Sequence, residues 1–517
     1  MENSISLPRT AGRIAAGGSL ILGGAGAGMI LAPSVGATPT TFHVTNLLDA
    51  GIGSLRDAVV AANANAGADT IVFDAGATGT ITLTSGQIAI TDDVTITGLG
   101  ATNSTVSGNN ASRIFYIGTG TNMVSASIES LTLTDGYAHT LNGDWGGAIS
   151  GYGASLTLSN VVVSGNSASE GGGIFLQPYY SYYGAGGSLE INNSVISENS
   201  ASTLSGGGIK VIGLDSVHVT GSVISDNSAQ QNGGGGYLSS YSTVIESSTI
   251  ADNSSGSDSG GGLWAGGYSF TMTNSTVSGN RGNDGSALRL YATNQLIENS
   301  TIANNVRTGG TGDGAIIDSS SHGSMKLLFT TVSGNQTDGT ATLSFSGASS
   351  YYSPAPVEII GSVISDNTTA SGSGVSETAV KARTVASVTV ANSLVMGQWS
   401  LESPSTDGGG NITGVSAQLG ALTDNGGPTQ TMEPSAGSPV IDAGPLTWVP
   451  FTGDGFDQRG ATFTRVVGSR SDMGAVENQT VQTTTTTQAP TTTTISLGSG
   501  ETTTTTTSDP VAPAFTG

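Results

Sequence analysis

Hydrophobic residues recur at matched positions in units of about 28 residues along most of this chain. In one unit, residues 189–192 alternate apolar with polar side chains, which is the period-two pattern of a half-buried strand. A second short apolar segment contains Ile196, and a third, residues 209–211, follows a run of three glycines. No helical periodicity separates these segments. The pattern therefore predicts three short strands per unit, joined by sharp turns.

Each unit also carries an asparagine at the end of its second strand, in the element hydrophobic-Ser/Ala-x-Asn. The spacing between successive asparagines stays close to the length of one unit and varies with short insertions. The row consists of Asn166, Asn199, Asn227, Asn253, Asn280, Asn305, Asn335 and Asn367. A short repeat with variable insertions is typical of a solenoid. The sequence thus predicts an all-β fold, a parallel β-helix of about 12–13 coils with three short strands per coil.

Glycine and asparagine have structural explanations in such a fold. Glycine runs at 171–173, 206–208, 233–236 and 260–262 supply positive φ angles and close backbone approach at one corner. Asparagine tolerates the left-handed conformation at another corner, and its amide can bond the asparagine one coil along. We therefore predict a structural asparagine ladder; the alternative is a ligand-binding role for this row.

The chain divides into five segments. They are residues 1–37, an export signal; 38–110, an N-terminal cap with the first coils; 111–400, the β-helix repeats; 401–478, a C-terminal segment of different character; and 479–517, a Thr-rich disordered tail. Arg9 and Arg13 precede an apolar stretch that ends with small residues at Val35 and Ala37, the pattern of a cleaved signal peptide. A membrane anchor is the alternative, although this stretch is rich in glycine and makes a poor span. Residues 54–63 predict a short amphipathic helix that covers the open end of the solenoid.

Composition and charge exclude several classes of protein. The chain has 14 Lys and Arg against 37 Asp and Glu, a net charge of −23, so phosphate backbones are repelled and no nucleic-acid partner is expected. The absence of cysteine excludes disulfides and thiolate metal sites. After the export signal no segment approaches about 20 apolar residues, so no transmembrane span is expected in the mature chain. These features predict a secreted or cell-surface protein.

Several motifs resemble those of bacterial surface proteins. The units starting at Val163 (Val-Ser-Gly-Asn-Ser-Ala-Ser-Glu-Gly-Gly-Gly-Ile-Phe) and Ile224 resemble the repeats of polymorphic outer-membrane proteins. Residues 53–58 look like a degenerate CSLREA segment in which Gly53 or Ser54 replaces the cysteine. Residues 419–431, 437–444, 457–460 and 472–477 look like a choice-of-anchor C-terminal domain. The resemblance implies a bacterial exported protein with a right-handed parallel β-helix near the cell surface, and it implies no particular enzymatic activity.

Polysaccharide lyases and glycoside hydrolases of the pectin-lyase-like fold are the alternative class. Their sites combine clustered carboxylates with a Lys or Arg. The one Asp pair, Asp92-Asp93, has no partner motif, and the polygalacturonase motif set is absent. We therefore predict no catalytic residues and a non-enzymatic protein, with a lyase or hydrolase of this fold as the alternative.

The C-terminal segment is the one place where a cation site is considered. Carboxylates that could supply oxygen ligands to Ca²⁺ are Asp424, Asp442, Asp454, Asp457 and Asp472. Turn formation by Asp side chains is the alternative explanation. No other cofactor is expected.

The candidate binding surface follows the strand after the glycine corner. Period two directs Phe175, Lys210, Trp264 and Arg289 outward in nearby coils, with Tyr237 or Leu238 between them. Beside this row an insertion contributes Tyr179, Tyr180, Tyr182 and Tyr183. One interpretation is simple stacking along a solenoid. The other is a groove in which rings meet sugar faces and the cations meet carboxylates or sulfates. The predicted function is an adhesin-like or envelope or matrix component that binds glycans or proteins on host or neighbouring-cell surfaces.

Overall fold

A computed structural model describes residues 38–139, 144–179, 186–256, 259–309, 315–321, 323–337, 341–347, 356–369, 378–383, 385–401, 405–446 and 455–480. These residues form 44 strands and one α-helix. The strands wind into a right-handed parallel β-helix of about 11 turns, close to the 12–13 coils predicted. The predicted fold class is confirmed. The predicted export signal and all but the first two residues of the predicted tail lie outside the described residues.

Three parallel sheets run along the solenoid. The 22 strands of sheet A are Thr41–Val44, Asp69–Phe73, Ile88–Ile90, Val94–Thr97, Phe115–Ile117, Val124–Glu129, Ile149–Tyr152, Ala154–Ser159, Ile174–Gln177, Ser188–Asn192, Ile209–Thr220, Gly236–Glu246, Leu263–Thr273, Leu288–Glu298, Ile317–Ser321, Met325–Leu328, Leu343–Gly347, Pro356–Ile360, Thr378–Arg383, Ser387–Ala391, Gln398–Leu401 and Ser405–Asp407. The 13 strands of sheet B are Gly79–Thr82, Ser104–Ser107, Thr132–Thr134, Val162–Ser164, Val195–Ser197, Val223–Ser225, Thr249–Ala251, Thr276–Ser278, Thr301–Ala303, Thr331–Ser333, Val363–Ser365, Leu394–Val395 and Ile412–Thr413. The nine strands of sheet C are Tyr137–Ala138, Ser167–Ala168, Ser200–Ala201, Ser228–Ala229, Ser254–Ser255, Arg281–Gly282, Val306–Arg307, Gln336–Thr337 and Thr368–Thr369.

The core is a set of apolar columns that point into the solenoid. Ile196, Ile224 and Ile250 lie side by side on neighbouring coils of sheet B, and each is fully buried. Period two then turns the residues before and after them outward. Sheets A and B continue beyond residue 400, to Ser405–Asp407 and Ile412–Thr413 respectively.

A single helix, Leu55–Ala64, covers the N-terminal end as predicted. Ser54 caps it, since the Ser54 side chain accepts a hydrogen bond from the backbone N–H of Asp57. Its buried face contains Leu55, Ala58, Val59 and Ala62. This face joins the apolar core of the first coils.

The asparagine row forms a continuous buried ladder. The Nδ2 amide of each asparagine from Asn166 to Asn335 donates to Oδ1 of the next one at 2.9–3.0 Å. The sequence reasoning placed the left-handed conformation on these asparagines, and that was wrong. The preceding residue adopts it, as at Glu198, Asp226 and Asp252 with φ of 57°, 56° and 54°. The asparagine itself turns inward, because its amide must reach the adjacent coils.

The glycine corner combines a positive φ with close packing, as predicted. Gly206 has φ +75°, and a Cβ at Gly208 would lie 2.6 Å from the carbonyl oxygen of Gly235 on the next coil. A second row, which the sequence reasoning missed, connects the corner between sheets A and B. The backbone N–H of Ser194 donates to the hydroxyl of Ser222, and that of Ser222 to the hydroxyl of Ser248. These serines are buried, so hydroxyls satisfy backbone groups inside the solenoid wall.

The C-terminal segment lies along the outer face of sheet B. Ala417 donates its N–H to the hydroxyl of Ser365, and Ala475 donates its N–H to the hydroxyl of Thr331. Further along, the Gln458 amide bonds the hydroxyls of Thr301 and Thr276. The segment thus forms an outer layer over sheet B from Val363–Ser365 to Thr276–Ser278.

Within the described part of the chain, none of the helical structure has the length and apolar character that a membrane crossing requires.

Candidate functional site

The predicted outward row exists as one line of neighbouring residues on sheet A. Phe175 pairs with Lys210, Lys210 with Tyr237, Tyr237 with Trp264, and Trp264 with Arg289. Tyr237, rather than the buried Leu238, therefore fills the intervening coil. The register continues from Arg289 to Asp318, which brings a carboxylate directly beside the arginine.

Both cations of this row already have carboxylate partners, which corrects the expectation that they receive an acidic ligand. The Lys210 Nζ atom lies 2.6 Å from Glu170 Oε2, and Lys210 is only 8% exposed. Arg289 forms an ion pair with Asp318 and donates from Nε to the Tyr291 hydroxyl at 3.0 Å. Their charges are neutralised within the protein, so they hold neighbouring coils together.

The aromatic members of the row cover one another. Phe175 is buried and stacks on Trp145 with ring centroids 4.9 Å apart. Tyr237 and Trp264 stack with centroids 4.1 Å apart and planes 6° apart. Their facing surfaces are therefore closed to a ligand, and the stacking interpretation holds for these residues.

The tyrosine insertion is described only at its first residue. The Tyr179 ring lies 5.2 Å from that of Tyr152, and the Tyr152 hydroxyl donates to the Tyr179 carbonyl oxygen at 3.3 Å. Tyr180, Tyr182 and Tyr183 lie outside the described residues.

A different group of tyrosines is exposed on three consecutive coils. Tyr241, Tyr268 and Tyr291 are 47%, 50% and 41% exposed, and we call them the tyrosine patch. They lie on Gly236–Glu246, Leu263–Thr273 and Leu288–Glu298, which run without a break around a corner of sheet A. Tyr241 and Tyr268 stack with centroids 4.9 Å apart and planes 6° apart. The sequence contained one signal for this pair: a Tyr-Ser dipeptide begins at both positions, with the same spacing as Asn253 and Asn280 of the ladder.

Among the described residues, no further ring contacts the outer faces of the stacked pair Tyr241 and Tyr268. The strand register places Asp215 beside Tyr241 and Thr293 beside Tyr268. Hydroxyls line the same corner, where Ser269 Oγ donates to Ser242 Oγ at 3.0 Å. The patch therefore combines two outer ring faces with nearby hydroxyl groups and one exposed carboxylate, that of Asp215.

Asp92 and Asp93 serve turns and strand ends. Asp93 Oδ1 accepts the backbone N–H of Ser125, and Asp92 Oδ1 accepts that of Asp93. Asp93 also lines an open groove of about 260 Å³ whose other polar lining is hydroxyls, including Thr95 and Ser127. Asp93 is the one carboxylate among the described lining residues of this groove.

Among the proposed Ca²⁺ ligands, Asp424, Asp457 and Asp472 bond other protein groups, whereas Oδ1 of Asp442 is buried with no hydrogen-bond partner among the described residues. Asp457 is clamped by the Arg459 guanidinium at 2.7 Å and accepts the N–H of Glu477. Asp472 accepts two backbone N–H groups, from Asp442 and Asn478. Asp424 accepts the N–H of Gly426 in an Asx turn, and Asp454 lies outside the described residues. Among the residues the structure describes, no three His, Asp or Glu side chains gather as a metal site would need.

Burial shapes the titration of this C-terminal cluster. Desolvation, followed by the charge of Asp472, raises the pKa of Glu477 to about 8. The pKa of Asp472 is also raised by burial. These carboxyls hold the C-terminal segment together through backbone N–H groups, because Glu477 accepts from Val467 and Asp472.

The comparisons with known proteins establish no family. No family model matches the chain, and no curated protein matches its sequence. The crystal structure of pectate lyase Pel9A is similar at 16% sequence identity with a TM-score of 0.42, covering 86% of this chain and 97% of the lyase chain. The class of this protein, a right-handed parallel β-helix, follows from its own strand pairing. No activity is inferred from a similarity at that level.

Proposed function

We propose that this protein is a non-enzymatic, exported β-helix that binds glycans through the tyrosine patch, as an adhesin-like or envelope component. The observation that supports this is the exposure of three tyrosines on adjacent coils of a chain in which aromatic residues are only 5%. Exposed aromatic clusters are costly to leave in water and mark binding surfaces. Sugar rings present apolar C–H faces that stack on aromatic rings, while their hydroxyls bond Ser, Thr and Asn side chains.

Neutral glycans are the favoured ligand class. Lys210 and Arg289 are ion-paired with Glu170 and Asp318, so they offer no open charge to a uronate or sulfate. Asp215, which borders the patch, would repel an acidic polymer. Thr293 occupies the position next to Tyr268 on the following coil, and its side chain is shorter than a tyrosine. We therefore expect the outer face of the Tyr268 ring to have room for a sugar ring on the Thr293 side.

Binding without cleavage is supported by the surroundings of the patch. Glycoside hydrolysis uses two carboxyl groups roughly 5–10 Å apart, flanking the scissile bond. The strand register places a single carboxylate, that of Asp215, beside the tyrosine pair. The carboxylate of Asp318 forms an ion pair with Arg289 and so is not open to a substrate. Release of reducing ends or unsaturated uronates from polysaccharides by the purified protein would instead establish the enzyme alternative.

The test of binding is a double substitution of the stacked pair. Tyr241→Ser with Tyr268→Ser should lower binding to neutral polysaccharides in pull-down or glycan-array assays about tenfold or more, the effect of ~1.4 kcal/mol. The matched control is Ile52→Ser, which removes a 94% exposed apolar side chain far along the chain from the patch. Wild-type binding by a correctly folded double variant would contradict the proposal.

Export is part of the same proposal. The mature chain should begin within a few residues of Ala37, because that position follows the apolar stretch and small residues of the signal pattern. N-terminal sequencing of protein from the culture medium or cell surface tests this, and a chain beginning at Met1 would contradict it.

A further inference from the structure

Tyr241 and Tyr268 form an exposed and closely stacked pair. The two side chains are 47% and 50% exposed, so both are open to a dissolved oxidant. Their ring centroids lie 4.9 Å apart, and their planes differ by 6°. A tyrosyl radical carries much of its unpaired electron on the two ring carbons adjacent to the hydroxyl-bearing carbon, in orbitals that point out of the ring plane. Two stacked tyrosyl radicals therefore face each other through the orbitals that form a new carbon–carbon bond.

The backbone holds the two tyrosines side by side. Directly after them, Ser242 pairs with Ser269 in the strand register, and the Ser269 hydroxyl donates to the Ser242 hydroxyl at 3.0 Å. Directly before Tyr268, Gly267 has φ +144°, and a Cβ at this position would clash with the carbonyl oxygen of Ser240 on the coil before. Glycine therefore permits a close approach of the two coils at this corner. The pair is thus positioned for coupling within one molecule.

Other tyrosines of the described chain are arranged differently. The Tyr291 hydroxyl accepts a hydrogen bond from Arg289 Nε at 3.0 Å, and the Tyr291 ring is tilted against that of Trp264, with centroids 5.3 Å apart. A radical on Tyr291 would therefore face an indole rather than a second phenol. Tyr152 and Tyr179 are in ring contact, but both are half-buried and their planes are 56° apart. Exposure and parallel stacking thus distinguish the first pair from these neighbours.

We propose that Tyr241 and Tyr268 are a modification site, at which a haem peroxidase with hydrogen peroxide forms a dityrosine link between two coils. Each phenol loses one electron and one proton, and the two radicals form a bond between ring carbons adjacent to the hydroxyl-bearing carbons. Each of these ring carbons then passes its hydrogen to the phenol oxygen as a proton, which restores both hydroxyls. Hydrogen peroxide accepts the two electrons and two protons and leaves as two molecules of water.

The link joins two neighbouring coils covalently. Tyr241 and Tyr268 are one coil apart, so the link closes one turn of the solenoid into a ring and restricts the unfolded chain there, as a disulfide does. The chain contains no cysteine, so no disulfide can form between its coils and no thiol competes for the oxidant. This inference is independent of glycan binding at the tyrosine patch, because it depends only on the exposure and the stacking of the two rings.

The experiment treats the full chain with a haem peroxidase and hydrogen peroxide in the absence of glycans. A Glu-specific protease then cleaves after Glu246, between the two tyrosines, and leaves them on peptides 199–246 and 247–298. These peptides should appear joined, with a mass two hydrogen atoms below their sum and with dityrosine fluorescence. Tyr241→Phe keeps a stacked ring but removes the phenol, so it should abolish the joined peptide. Tyr237→Phe and Tyr291→Phe, on the same two peptides, are the matched controls and should retain it.

Three outcomes would overturn the proposal. One is a joined peptide that persists in Tyr241→Phe, since another tyrosine would then form the link. Another is a link that forms mainly between Tyr152 and Tyr179, or between molecules, which gel electrophoresis detects as dimers. The third is a wild-type chain without a link after an oxidant dose that couples N-acetyltyrosine in a parallel reaction. Because no glycan is present, each of these outcomes leaves the result of the glycan-binding assay unaffected.

Discussion

The outer face of sheet B has two halves with nearly the same local pattern and different surroundings. In the open half, the outward residues Val195, Val223 and Thr249 are half-buried. In the half covered by the C-terminal segment, Thr276 and Thr301, in the same column, are fully buried. The inward columns are equally buried in both halves, so the difference arises only from the second layer.

Side-chain chemistry in this column explains how the layer is held. Thr276, Thr301 and Thr331 use their hydroxyls to bond the C-terminal segment, at Gln430, Gln458 and Ala475. The open half has Val162, Val195 and Val223 on successive coils at the equivalent position, and valine provides no such group. Three successive coils therefore bond the docked layer through a hydroxyl, whereas Thr249 in the open half has a hydroxyl without a layer over it and Val363 in the covered half contacts the layer without one.

The largest loss of stability is expected from substitutions in the inward column of sheet B, which is buried under both halves. Ile224→Asp, under the open half, and Ile302→Asp, under the covered half, each bury an unpaired carboxylate and should destabilise the protein by more than about 4 kcal/mol, or prevent folding. Asp226→Lys changes an outward corner and should leave Tm within a few degrees. Equal thermal midpoints for Ile224→Asp and Asp226→Lys would show that the inward register is wrong.

A charged side chain in the outward column of sheet B should have a large effect in the covered half and a small effect in the open half. Thr301→Lys places an ammonium group under the docked segment and should cost about 3–5 kcal/mol of docking free energy. Val223→Lys reaches solvent and should stay within about 0.5 kcal/mol. Limited proteolysis of residues 416–477 measures the docking. Equal protease resistance of the two variants would mean that the layer is not held by this face.

Gln458→Ala tests the polar contacts of the covered half. The Gln458 amide bonds Thr276, Thr301 and the Ser275 carbonyl oxygen, all buried, so its removal should cost about 2–3 kcal/mol. Gln231→Ala is the control, because Gln231 follows the sheet C strand Ser228–Ala229 and is half-buried; it should change the free energy of unfolding very little. Hydrogen exchange on the amides of Thr301 and Ala475 should accelerate in the first variant alone, and unchanged exchange would refute the role of Gln458.

The smallest expected effect is a pH dependence confined to the covered half. The folded pKa of Glu477, about 8, is above its ordinary value near 4.5, so the folded segment favours the protonated carboxyl. This stabilisation is complete below the unfolded pKa and is lost as pH rises through about 8, by roughly 1–2 kcal/mol. Proteolysis of residues 416–477 should therefore be faster at pH 9 than at pH 6, and Glu477→Gln should remove the difference. A wild-type rate that falls between pH 6 and 9 would reverse the assigned sign.

Repetition made much of the fold predictable from sequence. Ile196, Ile224 and Ile250 repeat with the coil, so their inward direction follows from alternation, and the cap at Ser54 follows from local helix signals. The left-handed residue before each asparagine was missed, because at every coil except that of Glu198 it is a Gly, Asp or Asn, and these types tolerate that conformation as readily as the asparagine that follows.

The binding row was only partly predictable. The repeat predicted that the residues of the row lie side by side on neighbouring coils. It did not predict their ion pairs, since Glu170 reaches Lys210 from a corner on an earlier coil. Asp318 could have been placed beside Arg289 by extending the same register one coil further. Tyr268 follows a bend at Gly267, where simple alternation no longer gives the direction of a side chain, and Tyr241 lies at the equivalent point of the coil before.

The docked layer has a consequence for the order in which the chain folds. Neighbouring coils contact residues about one repeat away, so the solenoid can grow from short-range contacts as each coil is added. Gln458 and Ala475 instead meet partners 144 to 183 residues earlier, and these contacts can form only after the middle coils exist. We expect the layer to be the last cooperative unit to form and the first to open. Its presence in a molecule would therefore indicate that the solenoid beneath it is fully folded.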